Sequence, residues 1–169
     1  MTSRNELLEQ LVKAVAIPQP IVACPVTPLS IPGIGITAEG ALDAMGTLFK
    51  LKVPKRGVIV SATYYDLNFD GTGTNIYLFN FEPTAIADNA AWTLSDADAP
   101  KLVTKLAFAG FDTHSTTCKT SEINNIGKAY VAPSGCFWIQ ASCVAIVTVA
   151  IAPCFQLQIQ SFDPDFKEA

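Results

Sequence analysis

Residues 57–81, GVIVSATYYDLNFDGTGTNIYLFNF, decide how this chain is read. In the first half Val58, Val60, Ala62 and Tyr64 recur at every second position, with Ser61 and Thr63 between them. That is the period of a strand with one buried face. In residues 75–81, Ile76, Tyr77, Leu78, Phe79 and Phe81 follow almost without interruption. Aromatic and β-branched residues suit a pleated surface, and a run apolar on both sides requires cover on both faces. Between the two lies Asp70-Gly71-Thr72-Gly73-Thr74, whose glycines can take the positive φ of a tight loop. The stretch is predicted to be a β-hairpin.

Working outward toward the N-terminus, prolines 25, 28 and 32 interrupt residues 21–36, which excludes a central strand and leaves an edge strand or ordered loop. Gly40 and Gly46 argue against a long helix over 37–49, and a strand over 47–53 fits better. Residues 3–16 read as a short helix: Ser3 and Glu6 have capping-box spacing, and Leu7, Leu8, Leu11, Val12 and Val15 form one apolar stripe. Ile17-Pro18-Gln19-Pro20 is a stiff extended connector, and helix plus connector read equally as an arm reaching a neighbour or as a helix folded back on its own sheet. Toward the C-terminus, Ser95-Asp96 resembles a helix start, and Asp98 and Pro100 suit a first turn. Residues 102–108 return to strand and 111–127 are a polar surface loop. Strands are expected over 128–132, 137–152 (as one or two) and 155–162. In the last, Phe155, Leu157 and Ile159 alternate with Gln156, Gln158 and Gln160, a core face and an amide face. The expected fold is all-β, an antiparallel, jelly-roll-like β-sandwich over 21–169, preceded by a helix and arm over 1–20.

Composition narrows the function. Of 169 residues 50% are apolar and only 15% charged, where about 25% charged is usual. Such a chain is short of solvated groups, so part of its surface is expected to be buried against other subunits. A net charge of −4 argues against nucleic acid as a partner. The longest apolar run, 143–152, is far shorter than a membrane span, and no targeting segment is evident.

Asp66-Leu67-Asn68-Phe69-Asp70-Gly71 matches the first half of a calcium loop, but position twelve is Tyr77 and strands flank it, so a solvated turn is the favoured reading. The single histidine, His114, has Asp112 and Ser115 beside it, yet triads rarely form from sequence neighbours. Asp96 with Asp98 and Asp163 with Asp165 are better explained by capping and a solvated tail than by glycosidic chemistry. Gly33-Ile34-Gly35 lacks the rest of a phosphate-binding motif. Tyr64, Tyr65, Tyr77, Trp92 and Trp138 suit a core better than a sugar platform. Cys24, Cys118, Cys136, Cys143 and Cys154 contain no C-x-x-C and read as small hydrophobes rather than a metal site or disulfide framework. The chain is expected to be non-enzymatic, with no cofactor and no metal.

The order of elements, with Asp88-Asn89-Ala90-Ala91-Trp92 and Ser95-Asp96-Ala97-Asp98-Ala99-Pro100-Lys101-Leu102 as its most distinctive part, resembles a family of tailed-bacteriophage virion proteins, the capsid decoration or cement proteins. The resemblance spans roughly residues 40–160. It implies a β-sandwich that assembles as a trimer or dimer, binds the major capsid protein on the capsid exterior after synthesis in the host cytoplasm, and carries no catalytic residues. Residues 143–151 alternate apolar groups on both sides, so Val144, Ile146, Val147, Val149 and Ile151 are the expected oligomer interface; a central strand buried within one domain is the competing reading. Leu7, Leu8, Leu11 and Val15 of the arm are the expected capsid contact. The alternative function is a carbohydrate- or receptor-binding module of a phage tail or fibre, which would need exposed aromatics in a groove.

Overall fold

The structure, a computed structural model, describes residues 21–35, 38–67, 71–148, 151–163 and 166. The predicted N-terminal helix and arm lie outside them. The strands are β1 (Ile21–Ser30), β2 (Ala38–Glu39), β3 (Ala44–Lys52), β4 (Arg56–Asp66), β5 (Thr74–Phe79), β6 (Leu102–Phe108), β7 (Asp112–Thr113), β8 (Lys119–Ile123), β9 (Lys128–Val131), β10 (Cys136–Cys143), β11 (Val147–Thr148) and β12 (Cys154–Ser161).

Every pairing is antiparallel. One sheet runs β1-β12-β4-β8-β7, with β9 also on β4, and the other runs β3-β10-β5-β6. β9 and β8 share one edge of β4, pairing with its first and second halves respectively. If the two-residue strands are set aside and β8 and β9 are taken as one position, consecutive strands alternate between sheets except β5 and β6, which are neighbours in one sheet, as in two interlocked Greek keys. This is the jelly-roll arrangement.

That topology corrects the predicted hairpin. β4 and β5 do not pair with each other; β4 pairs with β12, β8 and β9, and β5 with β10 and β6. Between Asp66 and Thr74 the chain crosses as an arch from one sheet to the other. A hairpin would have laid the apolar face of β4 and that of β5 side by side with nothing over them. The arch turns them toward each other across the core, a separation of about 10 Å that seven residues span easily. Tyr64 marks the crossing: its ring stacks on Phe108 of the opposite sheet at 5.4 Å, and its hydroxyl accepts a bond from Thr74 Oγ1 (3.1 Å).

The interior is built from the inward positions of both sheets, including Phe155, Leu157 and Ile159 of β12 and Phe137, Ile139 and Ala141 of β10. The alternation predicted for β12 is observed, its glutamines half-exposed on the outer face. β1 is an edge strand, as its prolines require. β3 begins at Ala44, earlier than expected. The segment 111–127 is not all loop, since β7 and β8 form a short hairpin there. β5 is buried on both faces, and its outer face has its own cover. Tyr77 and Phe79 share that face with Gln140 and Trp138 of β10, and residues 82–98 lie over it as a strap.

Candidate functional site

At the end of the sandwich that carries the arch, Asp66 is buried and accepts the Gly71 N–H at Oδ2 (2.6 Å). Half of the calcium-like pattern is thus used to close the arch. Among the described residues no group of acids, cysteines and histidine is placed to hold a metal ion. β10 terminates beside the arch. Cys143 is buried with its thiol on the Gly40 carbonyl (2.8 Å), its N–H donates to Asp43 O (3.1 Å), and the Val144 N–H donates to Gly73 O (2.8 Å).

With its backbone diverted into these bonds, the chain leaves the sheet after Cys143. The single strand expected over residues 143–151 from their alternation is therefore not formed. The described residues 143–148 are the end of β10, a bend, and the two-residue β11, where Val147 pairs with Glu39 of β2. The reading of a central strand buried within the domain is corrected with it. Val144 is 47%, Ile146 72% and Ile151 56% exposed, and Leu42, whose N–H bonds to Cys143 O, is 60% exposed. Val149 lies outside the described residues, as do Leu7, Leu8, Leu11 and Val15. The arch end therefore presents a cluster of uncovered aliphatic groups.

The residues of the DNAAW and SDADAPKL segments have a different task, which sequence reasoning missed. They fasten the strap. Asp88 accepts the Gly35 N–H at Oδ2 (2.7 Å) and the Gly46 N–H at Oδ1 (2.5 Å). Gly46 sits at φ 74°, where a Cβ would press on Pro32 O at 2.5 Å, so only glycine fits there. Ala91 bridges to Asp43, and Trp92 stacks on Tyr77 with ring centroids 3.9 Å apart. The buried Gln140 side chain pairs with both the N–H (3.2 Å) and the carbonyl of Ile86, as a neighbouring strand would. Its signal in the sequence was a glutamine within an otherwise apolar strand, which requires a partner. Farther along, Ser95 Oγ accepts the Asp98 N–H (3.1 Å) and donates to Asp98 Oδ2 (2.7 Å), and Lys101 Nζ reaches Asp98 Oδ1 at 2.8 Å. The Lys101 ammonium, then the Ser95 hydroxyl, hold the Asp98 carboxyl well below the usual carboxylate range. The predicted helix start there is a single 3-10 turn over Ala99–Lys101.

The remaining candidates are dispersed. His114 is exposed, its Nε2 2.6 Å from Thr120 Oγ1. Tyr64 belongs to the core and Trp138 lies beneath the Lys50 ammonium at 4.2 Å. Of the cysteines, Cys24 and Cys143 are buried, and Cys118, Cys136 and Cys154 are half-buried. At the end opposite the arch, a cleft of about 550 Å³ is lined in part by Lys52, Lys55, Ser134, Cys136, Asp163 and Phe166. Compared with known proteins, the chain matches no protein-family model, no curated protein and no solved structure.

Proposed function

We propose that the protein is a structural component of a virion, a capsid decoration or cement protein that self-associates and binds the lattice of major capsid protein. The observation that carries this reading is the aliphatic cluster of Leu42, Val144, Ile146 and Ile151 at one end of a charge-poor jelly roll. Exposed apolar groups gathered in one place mark a surface meant for a partner. The jelly roll recurs in viral capsid domains and also in lectins, so the fold itself lends support by analogy only. The sequence resemblance to decoration proteins favours the capsid.

The physics of such a role is mass action. A protein that binds only the assembled lattice stabilises that lattice by its binding free energy, and repetition over a symmetric shell adds avidity. The test is sedimentation of the purified protein with assembled shells, together with its copy number per virion. Saturable binding at a ratio commensurate with the lattice sustains the proposal. Absence of shell binding, or a copy number fit only for a tail part, refutes it.

A further inference from the structure

A second uncovered surface lies on the outer face of the β1-β12-β4 sheet, at the end away from the arch. The register places Ile21, Gln160, Val58 and Ala129 in one row across four strands. Two residues farther along, on the same face, come Phe162, Arg56 and Val131; Phe162 donates its N–H to Arg56 O, and Arg56 pairs with Val131. Ile21 and Val131 are each 60% exposed and Phe162 41%. The inward residues of the same strands, Ile59, Tyr130 and Ser161, are buried. The face is thus a largely apolar strip about 14 Å wide across four strands, interrupted by Gln160 between Ile21 and Val58 and by Arg56 between Phe162 and Val131.

The described chain begins at this strip, at Ile21. The twenty residues before it contain the stripe Leu7, Leu8, Leu11, Val12 and Val15, with Glu6 and Glu9 among its polar neighbours. A segment of that length wound as a helix would be about 20 Å long and about 10 Å across, a match for the strip. Reach decides whose strip it covers. In Ile17-Pro18-Gln19-Pro20 both non-proline residues precede a proline, which disfavours the helical conformation at each of them. A connector of this composition, if extended, would span about 12 Å, enough to carry the stripe off the end of its own sheet.

We propose that this strip receives the N-terminal segment, residues 3–16, of a second copy of the chain, with the stripe packed on Ile21, Val131 and Phe162 and with Glu9, which flanks Val12 at helical spacing, toward Arg56. The stripe expected to meet the shell is assigned here to a neighbouring subunit. The assignment does not rest on the virion reading, because arm exchange would stand if the protein never met a capsid.

The test uses the full-length chain and three variants: Leu11→Asp, Val131→Asp and Ile146→Asp. Self-association is measured by light scattering after size-exclusion chromatography, folding by thermal melts, and contact by methyl NOEs in mixtures of differently labelled chains. Leu11→Asp and Val131→Asp should each weaken self-association by roughly tenfold or more, the effect of one charge in an apolar contact. Melts of Val131→Asp should stay close to wild type, since the residue is exposed in the single chain. Intermolecular NOEs should link Leu11 or Val15 methyls to those of Val131 or Ile21. A monomeric wild-type chain, NOEs found only within one chain, or association lost with Ile146→Asp alone would each overturn the proposal. None of those results would depend on whether shells are bound.

Discussion

Replacing Asp88 with alanine would remove the two bonds by which one carboxylate holds Gly35 and Gly46. Hydrogen bonds to a charged acceptor contribute about 1.5–3 kcal/mol each, and the donors left behind are backbone amides. Asp88 is half-buried, so water can reach part of the vacated site and the lower end of that range applies, about 3 kcal/mol for the pair. For a chain of this length that corresponds to a fall in Tm of about 6–12 °C. Asp88→Asn keeps one acceptor but turns an amide donor toward the other N–H, so it should recover only part of the loss. Urea denaturation gives the free energy. Near-UV circular dichroism, dominated by the stacked Tyr77–Trp92 pair, reports whether the strap has come loose. If Asp88→Ala unfolds within about 0.5 kcal/mol of wild type, as an ordinary surface change would, with the near-UV signal intact, then the carboxylate does not fasten the strap.

Gln140→Leu should cost about 2 kcal/mol by calorimetry, since it leaves the Ile86 N–H and carbonyl without their side-chain partner. Ile146→Asp should leave the melt unchanged and reduce the mass measured by light scattering if the arch-end cluster is a subunit contact. Asp98 has a depressed folded-state pKa, so its stabilisation is present above the ordinary carboxylate value of about 4 and fades as pH falls through the lower folded value. Lys101→Met should therefore flatten the acid limb of the stability curve. Burial raises the phenols of Tyr64 and Tyr130. Their contribution is complete below about pH 10 and lost as pH rises toward the folded values, so ultraviolet titration should show them ionising together with alkaline unfolding.

The fold class was legible because β12 alternates cleanly and β1 carries prolines where only an edge tolerates them. The single buried face predicted for β4 is corrected, since a bulge at Val60 leaves Val58 and Val60 on the outer face while Ile59, Ala62 and Tyr64 face the core. What the sequence could not show was which strands pair. Residues 57–81 carry the turn chemistry of a hairpin, yet tertiary burial decided against it. Two apolar faces linked by seven residues are better hidden facing each other than side by side. The same limit applied to residues 143–151. Their alternation indicates strand, but alternation is silent about where the backbone bonds go, and those of Cys143 and Val144 go to Asp43 and Gly73. The strap was visible only as a string of distinctive residues. Asp88, Gln140 and Trp92 act through partners 42 to 54 residues away or, for Trp92, on another strand, and no local pattern announces such ties.

β12 is the last strand among the described residues and sits between β1 and β4, bonded to both. During synthesis the first-made strand therefore waits for the last. Until residues 154–161 have emerged from the ribosome, β1 has no edge to join and β4 lacks one of its neighbours. A chain terminated before Cys154 would be a sheet without its middle, so it should yield an insoluble product rather than a shortened protein.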